Sequence, residues 1–254
     1  MFDLIKPGYV LRFGVSPSTI HSPPGGDSGN NDNTLITPWP NDRKHLGVVR
    51  CLSHVTGALE PICAIVATSL RTEGSPRKRA ISYSAFGSKV REITGRQNVQ
   101  IGQVAADFVG YVDGKSMSLA SEAIVFSKDF SGCLMAVYQL NGHRYVAHVA
   151  ASLDKKMDCK QAFLDTLRHQ GATLVGWFQP YHGEDDLNRK LAAFAVITGY
   201  VGGAIDKFVT FGVVDGNRGY TIDAFRPVGS DGMSWVVTYI APKPMSQEWT
   251  VDDA

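Results

Sequence analysis

The chain has 254 residues, of which 44% are hydrophobic and 19% charged, with a formal net charge of +1. That is the balance of a globular protein with ample chain to bury a core. Near-neutrality gives no electrostatic case for nucleic acid or an anionic membrane as partner, and no apolar run approaches the ~20 residues of a membrane span.

Met1-Phe2-Asp3-Leu4-Ile5-Lys6-Pro7 lacks a basic region followed by an apolar stretch, so no cleaved secretory signal is expected there. A protein exported by a needle-type system would lack one too, which leaves secretion without such a signal and a cytoplasmic home both open. Between Ser16 and Asn33 the chain carries Pro17, Pro23, Pro24, Gly25, Gly26 and Gly29 among Ser, Asn and Asp, a composition that does not pack. Residues 1–44 are therefore expected to be a polar tail or loop region, with a secretion or docking segment as the functional alternative. Residues 45–254 are expected to form one catalytic domain.

Leu46–Ser53 and the nearly continuous apolar run Ile62–Leu70 read as strands. Arg71–Arg79 is a basic loop, a solvated connection unless it steers an acidic protein substrate. Ala80–Ile93 fits a helix weakened by Gly87. From Val99 the pattern turns to strand: Phe108–Val112 and Lys115–Leu119 flank Asp113-Gly114, a hairpin signal, and Glu122–Phe126 is a further strand. After the central hairpin described below, Phe163 and Leu167 lie four apart on a helix that Asp158 can cap and Gly171 can stop, with Cys159 on the same core face. Leu174–Phe178 is a strand and Tyr181-His182-Gly183 a turn. Leu187, Leu191 and Phe194 suggest a second helix. Phe208–Val214 and Arg218–Phe225 bracket Asp215-Gly216-Asn217, a third hairpin, and Trp235–Ile240 is the last strand. The segment from Pro242 onward is expected to fray. The whole is an α+β chain dominated by strands, with two or three covering helices.

Chemistry concentrates in Ser131–Val149. Two apolar-rich strands are joined by Asn141-Gly142, whose turn needs φ > 0 at both positions. A two-residue turn sets Leu140 opposite His143, Met135 opposite His148 and Cys133 opposite Ala150. Alternation then puts Cys133 and His148 on one face as diagonal neighbours and His143 on the other. An imidazole beside a thiol can take its proton, and the thiolate attacks carbonyl carbon. Ser131-Gly132 provides a sharp lead-in with open approach to the sulfur, and the Cys133 N–H is a candidate oxyanion donor. The same residues also fit a structural role, Cys133 as a small buried hydrophobe and His148 as a hydrogen-bonded core histidine.

Ser-Gly-Cys opening a strand, with a histidine fifteen positions on in the next, resembles the catalytic core of the cytotoxic necrotizing factor toxins. It also resembles Burkholderia lethal factor and, more loosely, the bacterial chemoreceptor glutamine deamidases. The resemblance spans about residues 127–150 and implies stacked sheets in a sandwich with Cys133 as nucleophile and His148 as base. It further implies a cofactor-independent deamidase or transglutaminase toxin or effector, working through a thioester on a host protein such as a small GTPase or translation factor. In these families a third group, often a backbone carbonyl or a hydroxyl upstream of the cysteine, orients the histidine. No motif assigns that group here; Asn98, Gln100, Gln103 and Asp107 lie upstream of Cys133 without singling one out. Two other functions remain, a cysteine protease and a non-catalytic binding or adaptor domain. A protease cysteine usually sits at a helix N-terminus, where the dipole lowers its pKa, and Val137 and Tyr138 argue instead for a strand. No HExxH, paired CxxC, calcium loop, GxGxxG or P-loop occurs, so neither a metal nor a nucleotide cofactor is expected.

Overall fold

A computed structural model describes residues 1–17, 36–39, 44–53, 99–130, 132–151, 159–181, 189, 196, 205–227, 230 and 232–248. The expected strand Ile62–Leu70, the basic loop Arg71–Arg79, the helix Ala80–Ile93, and Cys63, Asn98, Ser131, Asp158 and His182 lie outside them. Strands dominate, in two sheets, as the α+β reading requires.

The first sheet closes on itself. It comprises β1 (Val10–Arg12), β3 (His45–Ser53), β4 (Val99–Phe108), β6 (Ile124–Lys128), β10 (Ile205–Asp215), β11 (Arg218–Pro227) and β12 (Ser234–Lys243), in the order β1-β12-β11-β10-β6-β4-β3. β1 pairs with β12 on one side and β3 on the other, and closure removes the exposed edges of an open sheet. Aromatic rings from opposite walls fill the middle. Phe13 meets Phe126 edge-on at 5.5 Å, and Trp235 meets Phe211 at 5.4 Å, the geometry that aromatic quadrupoles favour. The tail expected before residue 44 is corrected here. Phe2, Leu11 and Phe13 are buried core residues, and β1 completes the barrel. The apolar residues that flank the Pro/Gly tract, not the tract itself, decide this.

The second sheet runs β2-β5-β8-β7-β9, with β2 (Ile36–Pro38), β5 (Ser116–Ala120), β7 (Leu134–Leu140), β8 (His143–Val149) and β9 (Thr173–Phe178). Its two faces are both covered. Met117, Met135, Val137 and Val146 pack toward the barrel, whereas Leu134, Ala136, Tyr138 and Val149 pack against Phe163 and Leu167 of helix α1 (Cys159–His169). The order is thus barrel, sheet, helix, so the two sheets stack as expected with one of them closed. α1 is the only helix of more than one turn among the described residues; of the expected second helix only Arg189 and Val196 are described, both helical and buried. Gly171, at φ 66°, ends α1, and the Ala172 N–H returns to the Leu167 carbonyl at 2.9 Å.

The expected hairpin at Asp113-Gly114 is reduced to a single bridge, Val112 to Lys115: of its first arm only Phe108 is in a strand, β4 of the barrel, whereas its second arm runs into β5 of the other sheet. The hairpin around Gly216 forms in full between β10 and β11. At the far edge of the second sheet the segment after β12 does not fray at once. Ser246 bridges to Trp177, whose indole N–H donates to the Glu248 carbonyl at 2.9 Å.

Candidate functional site

The β7–β8 hairpin has the register read from its sequence: Met135 pairs with His148 and Leu140 with His143, around Asn141 at φ 51° and Gly142 at φ 78°. His143 is exposed, and His148 lies on the barrel-facing side with Met135. The ladder stops at Leu134, and Cys133 precedes it. The thiol packs into the same barrel-facing cluster, and the Ala151 N–H donates to its sulfur at 3.3 Å. Gly132, at φ 132°, takes a backbone conformation that a side chain would strain. Cys133 leads into a strand, so it does not itself stand at a helix N-terminus.

A hydroxyl from the barrel reaches His148. Ser127 Oγ on β6 and His148 Nδ1 share a hydrogen bond at 2.7 Å, both residues fully buried. His148 Nε2 has no hydrogen-bond partner among the described residues. A buried N–H without an acceptor is costlier than a buried lone pair without a donor. The arrangement therefore favours the tautomer in which Nδ1–H donates to Ser127 and Nε2 carries the lone pair. Burial lowers the His148 pKa from its ordinary value of 6.5 to about 3, which keeps the ring neutral near pH 7.

Aromatic rings enclose the imidazole. Phe130 stacks on it at 4.3 Å with planes 5° apart, and Tyr111 lies tilted at 5.3 Å. The Tyr111 pKa is raised, first by burial, then by the hydrogen bond and charge of Asp113, and further by the neighbouring Cys133 and Cys159. Tyr111 thus adjoins the imidazole. Beside Ser127 in the barrel wall is Gly212, its register partner on β10. A β-carbon there would stand 2.5 Å from the Met135 sulfur, 2.7 Å from Pro180 Cγ and 2.9 Å from the Phe130 ring, so the glycine lets wall and sheet approach.

Of the predicted site residues, Cys133 just before β7 and His148 on β8 both lie on the barrel-facing side of the second sheet, His148 opposite Met135, with Gly132 next to the cysteine in the chain. Cys133 is only 2% exposed and His148 0%. Gln100 and Gln103 bond each other on the surface, and Asp107 accepts from Ser121 at 2.7 Å and pairs with His45 at 2.9 Å. None of the three is the partner of His148. Sequence reasoning missed Ser127. A hydroxyl upstream of the cysteine was the right type of signal, but Ser116, Ser118, Ser121 and Ser127 all fit it, and only the stacking of barrel on sheet selects one.

Cys51, Cys133 and Cys159 are in no disulfide. Among the described residues no group of His, Cys, Asp or Glu is placed to hold a metal ion, and no helix is long and apolar enough to cross a membrane. No protein-family model and no curated protein matches the chain.

Proposed function

We propose that the chain is a cysteine-dependent amidohydrolase acting on glutamine side chains of a protein, with Cys133 as nucleophile, His148 as base and Ser127 as the residue that orients it. The observation that carries the reading is the His148 ring, held at Nδ1 by a buried hydroxyl while Nε2 stays without a partner, on the face that also bears Cys133. Nε2 takes the thiol proton. The sulfur bonds to the carboxamide carbon, the carbon–nitrogen bond breaks, and the imidazolium returns its proton to the leaving ammonia. Water then attacks the thioester with His148 again as base, giving glutamate and the free thiol; an amine in place of water gives transglutamination. A neutral imidazole with a pKa near 3 is a weak base in the resting site. A thiolate forming beside it raises that pKa, so the two groups titrate as a pair. The resemblance of the Ser131–His148 stretch to toxin deamidases supports a host protein as substrate, a small GTPase or translation factor being the precedents, and delivery to a host cytosol.

A second reading is favoured by the burial of both groups: Cys133 and His148 as core residues of a non-catalytic binding domain. One experiment separates the two. A eukaryotic lysate is treated with wild type or Cys133→Ser, ammonia is measured, and Gln-to-Glu changes are mapped by mass. A cysteine-dependent change at a glutamine is the expected result. New peptide termini instead would make the chain a protease. Silence on both, with Cys133 alkylated no faster below neutral pH than Cys51 and Cys159, would establish the core reading.

A further inference from the structure

The chemistry just described does not use Phe130, yet several features converge on that side chain. A hydrogen bond at Nδ1 fixes one atom of an imidazole and leaves the ring free to tilt about it. The Phe130 ring removes that freedom, lying parallel to the imidazole at 4.3 Å. It occupies the space left by the missing side chain of Gly212, where a β-carbon would come within 2.9 Å of it. Gly212 in turn sits beside Ser127, the residue that bonds Nδ1. The backbone just before the ring is held as well. Asp129 adopts a left-handed conformation at φ 67°, and its carboxylate lies 3.6 Å from the Lys128 amine and 3.9 Å from that of Lys207. Aspartate is among the few side chains that tolerate this conformation, and it sets the direction in which the chain delivers Phe130.

We propose that Phe130 is a positioning residue for His148: seated over Gly212, its ring fixes the imidazole plane so that Nδ1 stays on Ser127 and Nε2 stays available to the thiol. The inference rests on the reading of His148 as the base. It adds that the orienting element has two parts, a hydroxyl that selects the tautomer and an aromatic face that selects the plane. Misplacing a reacting group by about 1 Å costs on the order of 100-fold in rate, so the second part should show in kcat with little change in KM.

The test uses the full chain with labelled histidine, as wild type, Phe130→Leu, Phe130→Tyr and Phe130→Met. Imidazole nitrogen shifts report the His148 tautomer and titration, and ammonia release reports the rate. In Phe130→Leu the expected result is mixed tautomers, a titration midpoint moved from about 3 toward 6.5, and a fall in kcat of about 100-fold at similar KM. Phe130→Tyr, which restores the stack, should recover the tautomer and most of the rate. A folded Phe130→Leu with the wild-type tautomer, titration and kcat overturns the proposal. Should Phe130→Leu not fold, Phe130→Met fills the site with a flexible side chain that has no ring face and gives the same two-way readout. The nitrogen shifts do not depend on turnover. A wild type that releases no ammonia and whose Cys133 is alkylated no faster than Cys51 and Cys159 therefore sinks the deamidase reading by itself, while the shifts still decide whether Phe130 sets the imidazole.

Discussion

Arg189 and His148 are both buried against the outer wall of the barrel, and their surroundings differ in one respect. Arg189 Nε donates to Asp223 Oδ2 at 2.6 Å, Nη2 also donates to Asp223, and Nη1 reaches the Pro180 carbonyl at 3.4 Å. Thr210 donates to the same carboxylate at 2.7 Å, while Tyr181 and Tyr239 flank the guanidinium at 5.0 and 5.2 Å. His148 has one hydrogen bond, from one nitrogen, and its other nitrogen has none among the described residues. A buried polar group that serves the fold is normally satisfied at every atom, and one left open calls for an explanation. The contrast separates a cluster that pins Pro180 and Arg189 to β10 and β11 from a group with an atom in reserve.

The largest effect expected from this contrast is at the satisfied centre. Asp223→Ala leaves a buried guanidinium without its carboxylate and should cost about 3–5 kcal/mol in urea unfolding, whereas Arg189→Met combined with Asp223→Leu should regain most of it. If Asp223→Ala unfolds at the same urea concentration as wild type, the pair does not pin the fold and the comparison breaks.

Next in size is the response to pH. The folded His148 pKa of about 3 lies below its ordinary 6.5. Between those values the unfolded chain binds more protons, so stability present above pH 6.5 is lost as pH falls toward 3. Thermal melts of wild type and His148→Gln across that window should show the steeper loss in wild type. Equal slopes would mean that the imidazole is not buried in neutral form.

Ser127→Ala should cost about 1 kcal/mol of stability, the worth of one hydrogen bond, yet lower ammonia release by about 100-fold. A loss of stability with full activity would place Ser127 among the fold's supports alone. Smallest is Arg218→Ala. Arg218 bonds Asp3 and Asp215 at 3.2 and 3.3 Å with its side chain 61% exposed, so its loss should stay within about 0.5 kcal/mol. An equal cost for Arg218→Ala and Asp223→Ala would remove burial as the distinction.

What was legible in the sequence follows the range of the interactions. The β7–β8 register, with Met135 facing His148, came from two turn residues and a period of two, both local. So did the glycine stop of α1 and the β10–β11 hairpin. Ser127 was not legible because its hydrogen bond crosses from the barrel to the other sheet, and nothing in the strand Ile124–Lys128 distinguishes a serine that faces an imidazole from one that faces water. The barrel itself escaped for the same reason. Val10, Leu11 and Arg12 form too short a run to stand out, and one of their two partners, β12, is far away in the sequence. Asp113-Gly114 misled in the opposite direction: the local turn signal was sound, but its flanks were claimed by two different sheets.

The place of β1 has a consequence for the order in which the molecule is made. Val10 pairs with Leu52 and also with Val236, so β1 acquires its second neighbour only after the much later β12 has been synthesised. Until then β1 presents one open edge and Trp235 is missing from the barrel's centre, which exposes the nascent chain to mispairing. Closing so long a loop before its contacts repay it is slow. Refolding from denaturant should accordingly be limited by the docking of β12 onto β1, with the β7–β8 hairpin already formed.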